Sequence, residues 1–121
     1  VKAVVMYSSP GPIEPLTSAP GAFGKVSAPT LLITGTADTV PGFVSDPARH
    51  LVYFEGLPPT DRTALIVTGA THEFIRGDQP GWAEVSTLVE DFLASRVLGD
   101  AAAGARFDSV TSAAPVEIRR R

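Results

Sequence analysis

An α/β fold built on a mostly parallel sheet is what the sequence predicts, and three observations carry that reading. Two apolar runs, Leu31-Leu32-Ile33-Thr34-Gly35 and Leu65-Ile66-Val67-Thr68-Gly69, are each closed by Thr-Gly. Short apolar, β-branched runs of this kind suit strands covered on both faces, as in parallel sheets. Between them lies a stretch long enough to carry the chain back across the sheet for a parallel pairing. A strong amphipathic helix then follows the second run. The pattern is one domain at most at 121 residues, long enough for a modest core.

In chain order, Lys2 to Ser8 reads as a first strand, and Ser9-Pro10-Gly11-Pro12 ends it. Residues 9 to 29 hold five prolines and three glycines with no helical period, which predicts a long irregular loop anchored by Phe23 and Val26. Thr30 to Gly35 is the second strand. Asp46 followed by Pro47 predicts the N-cap and first turn of a short crossover helix. Leu51, Phe54 and Leu57 give that helix an apolar face, and Pro58-Pro59 stops it. Thr63 to Gly69 is the third strand.

After Pro80-Gly81, the residues Trp82, Val85, Leu88, Val89, Phe92, Leu93 and Val97 recur at helical spacing. Glu84, Glu90, Asp91 and Arg96 are expected on the opposite, solvent face. Gly99-Asp100 breaks the run, with Asp100 as cap of a second, Ala-rich helix to about Phe107. Residues 1–108 are therefore expected to form the domain portion, and 109–121 a peripheral tail.

A net charge of −3 argues against nucleic acid as the main partner. No apolar stretch approaches the ~18 residues that read as a membrane span. Without Cys, disulfides, thiolate catalysis and Cys-ligated zinc are excluded. The chain opens on Val1 and enters a strand almost at once, so it reads as a piece of a longer protein, and its localisation stays open.

The chemistry concentrates where the two Thr-Gly runs end. Each places one titratable residue three positions past its glycine, Asp38 in the first and His72 in the second. Parallel neighbouring strands would bring both to the same sheet edge, where open α/β sheets hold their ligands. A carboxylate beside an imidazole fixes its tautomer and orientation and supports a general base. Phe74 and Ile75 are candidates to line an apolar pocket beside it. Other residues carry less: Glu73 and His72 are adjacent in sequence and do not converge on one metal ion. His50 sits beside Arg49 with no acidic cluster nearby and reads as a surface residue. Gly21 to Lys25 is too short for a phosphate-binding loop and lacks its Ser/Thr.

The stretch Ala28-Pro29-Thr30-Leu31-Leu32-Ile33-Thr34-Gly35-Thr36-Ala37-Asp38 resembles the acid-bearing strand and loop of the α/β-hydrolases. Thr68-Gly69-Ala70-Thr71-His72 is similar to their histidine loop, with the C-terminal helix following. Lys2-Ala3-Val4-Val5, Ser8-Ser9-Pro10-Gly11-Pro12, Phe54-Glu55-Gly56-Leu57-Pro58-Pro59, Phe92-Leu93 and Gly99-Asp100-Ala101-Ala102 resemble the branch of dienelactone hydrolases and acetylhydrolase-like esterases. The resemblance covers about residues 2 to 108 and implies the C-terminal part of such a fold, about three parallel strands with flanking helices.

What the resemblance implies is a serine hydrolase acting on an ester or lactone, with Asp38 as the acid, His72 as the base and no cofactor or metal. Its nucleophile would lie upstream, because no Gly-x-Ser-x-Gly elbow occurs here. Ser8 and Ser9 precede Pro10, which forbids an immediate helix, and they read as turn hydroxyls. Without that missing N-terminal half the isolated chain is expected to be inactive and to expose an open strand edge. An Asp nucleophile, as in dehalogenases and epoxide hydrolases, and a non-catalytic hydrolase-like interaction domain are the alternatives.

Overall fold

The computed structural model describes residues 1–121. Four strands form one mixed sheet in the order β1 (Val4–Tyr7), β2 (Thr30–Gly35), β3 (Arg62–Val67) and β4 (Val116–Arg120). The first three are parallel, with Tyr7 beside Ile33 and Gly35 beside Val67. The fourth runs antiparallel to β3, pairing Val67 with Val116 and Thr63 with Arg120. The architecture is thus α/β, and its sheet is mixed and four-stranded, wider than the three parallel strands expected. The difference comes from residues 109–121, read as a tail. Val116, Glu117 and Ile118 alternate buried, exposed and half-buried, the period-two signature of a half-covered edge strand. β4 covers the outer edge of β3, whereas the outer edge of β1 has no partner strand in the chain.

Alternation along the strands divides the core between two faces. Leu31, Ile33, Leu65 and Val67 point to one side, where they pack with Val85, Leu88, Phe92, Phe107 and Val116. Leu32 and Ala64 point to the other and meet Phe54. The first face is covered by α2 (Trp82–Leu98) and α3 (Ala101–Ser109). The second is covered by the crossover, a 3₁₀ helix over Pro47–Leu51 running into α1 (Val52–Gly56). Asp46 caps the crossover by accepting from the Ala48 N–H at 3.0 Å, as its place before proline predicts. The loop from 9 to 29 contains turns and no regular element.

α2 ends at Gly99, whose φ of +79° suits a left-handed C-cap; the N–H of Gly99 bonds Ser95 O at 3.0 Å and that of Asp100 bonds Ala94 O at 3.1 Å. Asp100 then caps α3 through the Ala102 and Ala103 N–H groups at 2.9 and 3.0 Å. Of the solvent face expected on α2, Glu84 and Glu90 are exposed, whereas Asp91 and Arg96 need correction. Asp91 is buried and pairs with Arg106 of α3 at 2.5 Å, and Arg96 bridges Asp61 at 2.7 Å and Asp108 at 2.9 Å. α3 lies over that side of α2, with Gly104 opposite Ser95 where a Cβ would meet the hydroxyl, so these charges pair with α3 and with Asp61 just before β3. No helix is long and apolar enough to cross a membrane.

Candidate functional site

The site forms where β2 and β3 end side by side. Gly35 closes β2, and the backbone after β3 runs directly over it: a Cβ at residue 35 would lie 2.0 Å from the Ala70 carbonyl oxygen. The absence of that Cβ lets the two loops bond as a unit. The Ala37 N–H donates to Ala70 O at 3.0 Å, the Thr36 N–H to Val67 O at 3.0 Å, and the Gly69 N–H to the Thr36 hydroxyl at 2.9 Å. Gly69 turns the chain with φ +77°, a conformation that glycine adopts without steric cost. The Thr-Gly closures therefore lock the two loops together.

His72 opens a 3₁₀ helix over His72–Arg76, capped by the Thr71 hydroxyl on the Glu73 N–H. Gln79 braces the cap from outside, donating its amide N–H to Thr71 Oγ1 and accepting from the Thr71 N–H, both at 2.8 Å. Buried Phe74 anchors the turn against Trp82, edge to face at 5.4 Å. These contacts hold the His72 ring with Nδ1 3.1 Å from Asp38 Oδ1. The ring is 46% exposed while Asp38 is 1% exposed, so the carboxylate is sealed below and the imidazole reaches outward.

Asp38 is surrounded by donors. The Thr34 hydroxyl donates to its Oδ2 at 3.0 Å, and the Ser8 hydroxyl donates to the same oxygen. Ser8 follows β1 with φ +50°, a left-handed backbone uncommon for a residue with a side chain. Its hydroxyl is committed to the carboxylate. His50 approaches from the crossover, with Nε2 3.2 Å from Asp38 Oδ1 and 3.1 Å from the Asp38 carbonyl oxygen. Its ring is fully buried and lies nearly parallel to His72, with centroids 6.5 Å apart.

Sequence spacing therefore brought Asp38 and His72 together, and it misplaced His50. That residue belongs to the floor of the site. The missed signal is its spacing of four residues from buried Phe54 along the crossover, which places the two on the same side of a helical segment. Glu73 points away and pairs with Arg76 at 2.5 Å. No three His, Asp or Glu side chains are grouped to hold a metal ion.

Two hollows flank the exposed imidazole. One, of about 110 Å³, is lined by Tyr7, Ser8, Ile33, Asp38, His72 and Phe74, with Ile75 at its rim. The second, about 240 Å³, lies between His50, Val40, Phe43 and Pro10 and shares Ser8 and His72 with the first. Burial pushes the Tyr7 phenol above its ordinary value, so near neutral pH it is a neutral hydroxyl that can donate or accept but does not serve as an anionic base. The arrangement can hold one imidazole in the tautomer with Nδ1–H toward Asp38, leaving Nε2 to take up a proton beside a mostly apolar cavity. No protein-family model matches this chain, and no curated protein matches it at a significant level.

Proposed function

We propose that this chain carries the acid and base of a serine hydrolase acting on a carboxylic ester or lactone, within an α/β-hydrolase fold whose nucleophile comes from residues outside these 121. The observation that carries the reading is the pair itself: buried Asp38 bonded to Nδ1 of half-exposed His72 at 3.1 Å, next to an apolar hollow. In the proposed reaction a serine hydroxyl attacks the ester carbonyl while His72 Nε2 takes its proton. Asp38 holds the ring and stabilises the imidazolium so formed. The tetrahedral intermediate collapses with cleavage of the carbonyl–alkoxy bond, and His72 returns the proton to the departing alkoxide. Water then attacks the acyl-enzyme with His72 again as base, which releases the acid and restores the serine.

A fluorophosphonate probe on the full-length protein tests this. Labelling is expected in the wild type, lost in His72→Ala and retained in Ser8→Ala, whose hydroxyl faces the carboxylate. Labelling that survives His72→Ala overturns His72 as base. Labelling lost in Ser8→Ala with the fold intact would move the nucleophile into this chain. Absence of labelling with preserved reactivity toward haloalkanes or epoxides would favour a carboxylate nucleophile on the same scaffold.

A further inference from the structure

We infer that His50 is a buried imidazolium, charged by its hydrogen-bond surroundings, and that it is a positioning residue which clamps the Asp38 carboxylate in the orientation offered to His72. The argument starts from the two ring nitrogens. Nδ1 faces the Ser9 carbonyl oxygen at hydrogen-bond contact. A carbonyl oxygen only accepts, so Nδ1 carries a proton. Nε2 faces the Asp38 carbonyl oxygen at 3.1 Å and Asp38 Oδ1 at 3.2 Å. The first is again an acceptor only, and a bare nitrogen lone pair there would meet a carbonyl lone pair. A proton on Nε2 satisfies both oxygens at once, and a ring protonated at both nitrogens is the imidazolium.

The carboxylate supports the same assignment. An ionised carboxylate offers about four lone-pair sites, and Asp38 is approached by four donors: Ser8 and Thr34 on Oδ2, His50 and His72 on Oδ1. A carboxylate whose four lone-pair sites all meet donors is the acceptor that a buried imidazolium needs as its partner. The titratable groups facing the His50 ring are this carboxylate and the stacked His72 ring. The segment holding His50 in place is independent of both: the Ser9 hydroxyl donates to the His50 carbonyl at 2.6 Å, which makes a reciprocal clasp between the end of β1 and the crossover. With Oδ2 held by two hydroxyls and Oδ1 pulled by His50, the carboxyl plane cannot rotate away from His72.

The catalytic consequence rests on the hydrolase reading; the charge state does not. The chain has two histidines, so ring ¹⁵N labelling gives two spin systems, assigned with His72→Gln at a half-exposed position. At neutral pH, two protonated-type nitrogens with resolved one-bond N–H couplings are expected for His50, and one protonated nitrogen, Nδ1, for His72. An unprotonated nitrogen on His50 overturns the inference. In folded His50→Gln, the His72 Nδ1–H tautomer is expected to give way to a mixture of the two tautomers. An unchanged His72 tautomer overturns the positioning role. If His50→Gln fails to fold, the wild-type spectrum still decides the charge state, and Ser9→Ala, which removes one half of the clasp, serves for the tautomer measurement. A full-length protein that never reacts with a fluorophosphonate would sink the hydrolase reading and leave both spectroscopic results standing.

Discussion

Gly35 and Ala70 are packed backbone against backbone, with 2.0 Å between the Ala70 carbonyl oxygen and the place where a Cβ on residue 35 would sit. That contact joins the loop bearing Asp38 to the loop bearing His72, and the whole candidate site depends on it. Neither loop can be displaced without losing the bonds from Thr36 to Val67 at the end of β3 and from Ala37 to Ala70 just beyond it.

Gly35→Ala is therefore expected to be one of the most damaging small substitutions in the chain. The obstructing atom is backbone, so the loops must move apart. Overpacking of this kind costs about 1–3 kcal/mol, occasionally more. Urea denaturation is expected to give a lower midpoint with an unchanged slope. The His72 ring should lose its fixed tautomer, which the same ¹⁵N spectra would record. A wild-type stability and tautomer would contradict the packing described.

Asp38 and His72 are expected to separate stability from chemistry. Asp38→Ala removes the acceptor of two hydroxyls and strands the His50 cation, and breaking a buried pair in this way costs about 3–5 kcal/mol. His72→Ala removes a half-exposed ring whose loop is held by Thr71, Phe74 and Gln79, so a change of about 0.5 kcal/mol or less is expected. Under the proposed hydrolase reading, in which His72 is the base, His72→Ala is expected to lower ester hydrolysis by the full-length protein about 10²–10⁴-fold. Thermal denaturation and ester hydrolysis measured on both variants would check the split. Equal destabilisation would argue against a buried charged pair at Asp38.

The parallel strands, their Thr-Gly ends and the pairing of Asp38 with His72 were legible because each depends on local sequence: period, turn chemistry and a fixed offset from a glycine. Asp46, Gly99 and Asp100 were legible for the same reason, since capping is decided within a few residues. Three features were not. His50 is buried because the end of β1 bonds to it from 41 residues away. Asp91 and Arg96 look solvated on a helical wheel of α2 alone and become paired only once α3 covers them. β4 is short and half exposed, and its hydrogen bonds go to β3, a strand some fifty residues earlier. All three are settled by tertiary contact, which overrides local preference.

Phe92 is expected to carry more of the helix–sheet interface than any exposed residue of α2. It is fully buried, meets Phe107 at 5.4 Å between ring centroids, and has the Arg96 guanidinium 5.9 Å away. Phe92→Ala leaves a cavity in the larger core and is expected to cost about 3–5 kcal/mol. Leu98→Ala, at an exposed position near the end of the same helix, is expected to change stability by about 0.5 kcal/mol or less. Paired urea curves would check the contrast, and a comparable loss at Leu98 would argue that this end of α2 is covered in solution.

Removing residues 110–121 is expected to convert a covered strand edge into a sticky one. β4 supplies the antiparallel partner for Thr63 to Val67, and Pro115 O accepts from the Thr68 N–H at 2.8 Å. Arg120 also ties the strand to α3, donating to Phe107 O at 2.7 Å and to Val110 O at 2.8 Å. An unpaired, apolar β3 edge is a template for another chain. Light scattering is expected to show larger assemblies for the truncated chain than for the intact one at equal concentration. A truncated chain of unchanged size and stability would show that β4 contributes little.

Asp100 gives a pH dependence whose sign can be worked out. Backbone N–H bonds, that from Ala103 first and then from Ala102, hold its carboxyl below the ordinary aspartate range despite some opposing desolvation, with Arg106 adding a favourable charge. A folded-state value below the unfolded one means that the unfolded chain binds the proton more readily as the pH falls. The cap's contribution is therefore fully present above the ordinary aspartate range. It is lost progressively as the pH drops through that range toward the lower folded value. Asp100→Ala removes the acceptor, so the stability gap between wild type and variant is expected to be widest near neutral pH and to narrow in acid. Chemical denaturation across that interval would measure the gap. A gap that stays constant into strong acid would mean that the carboxylate's charge adds nothing to capping α3.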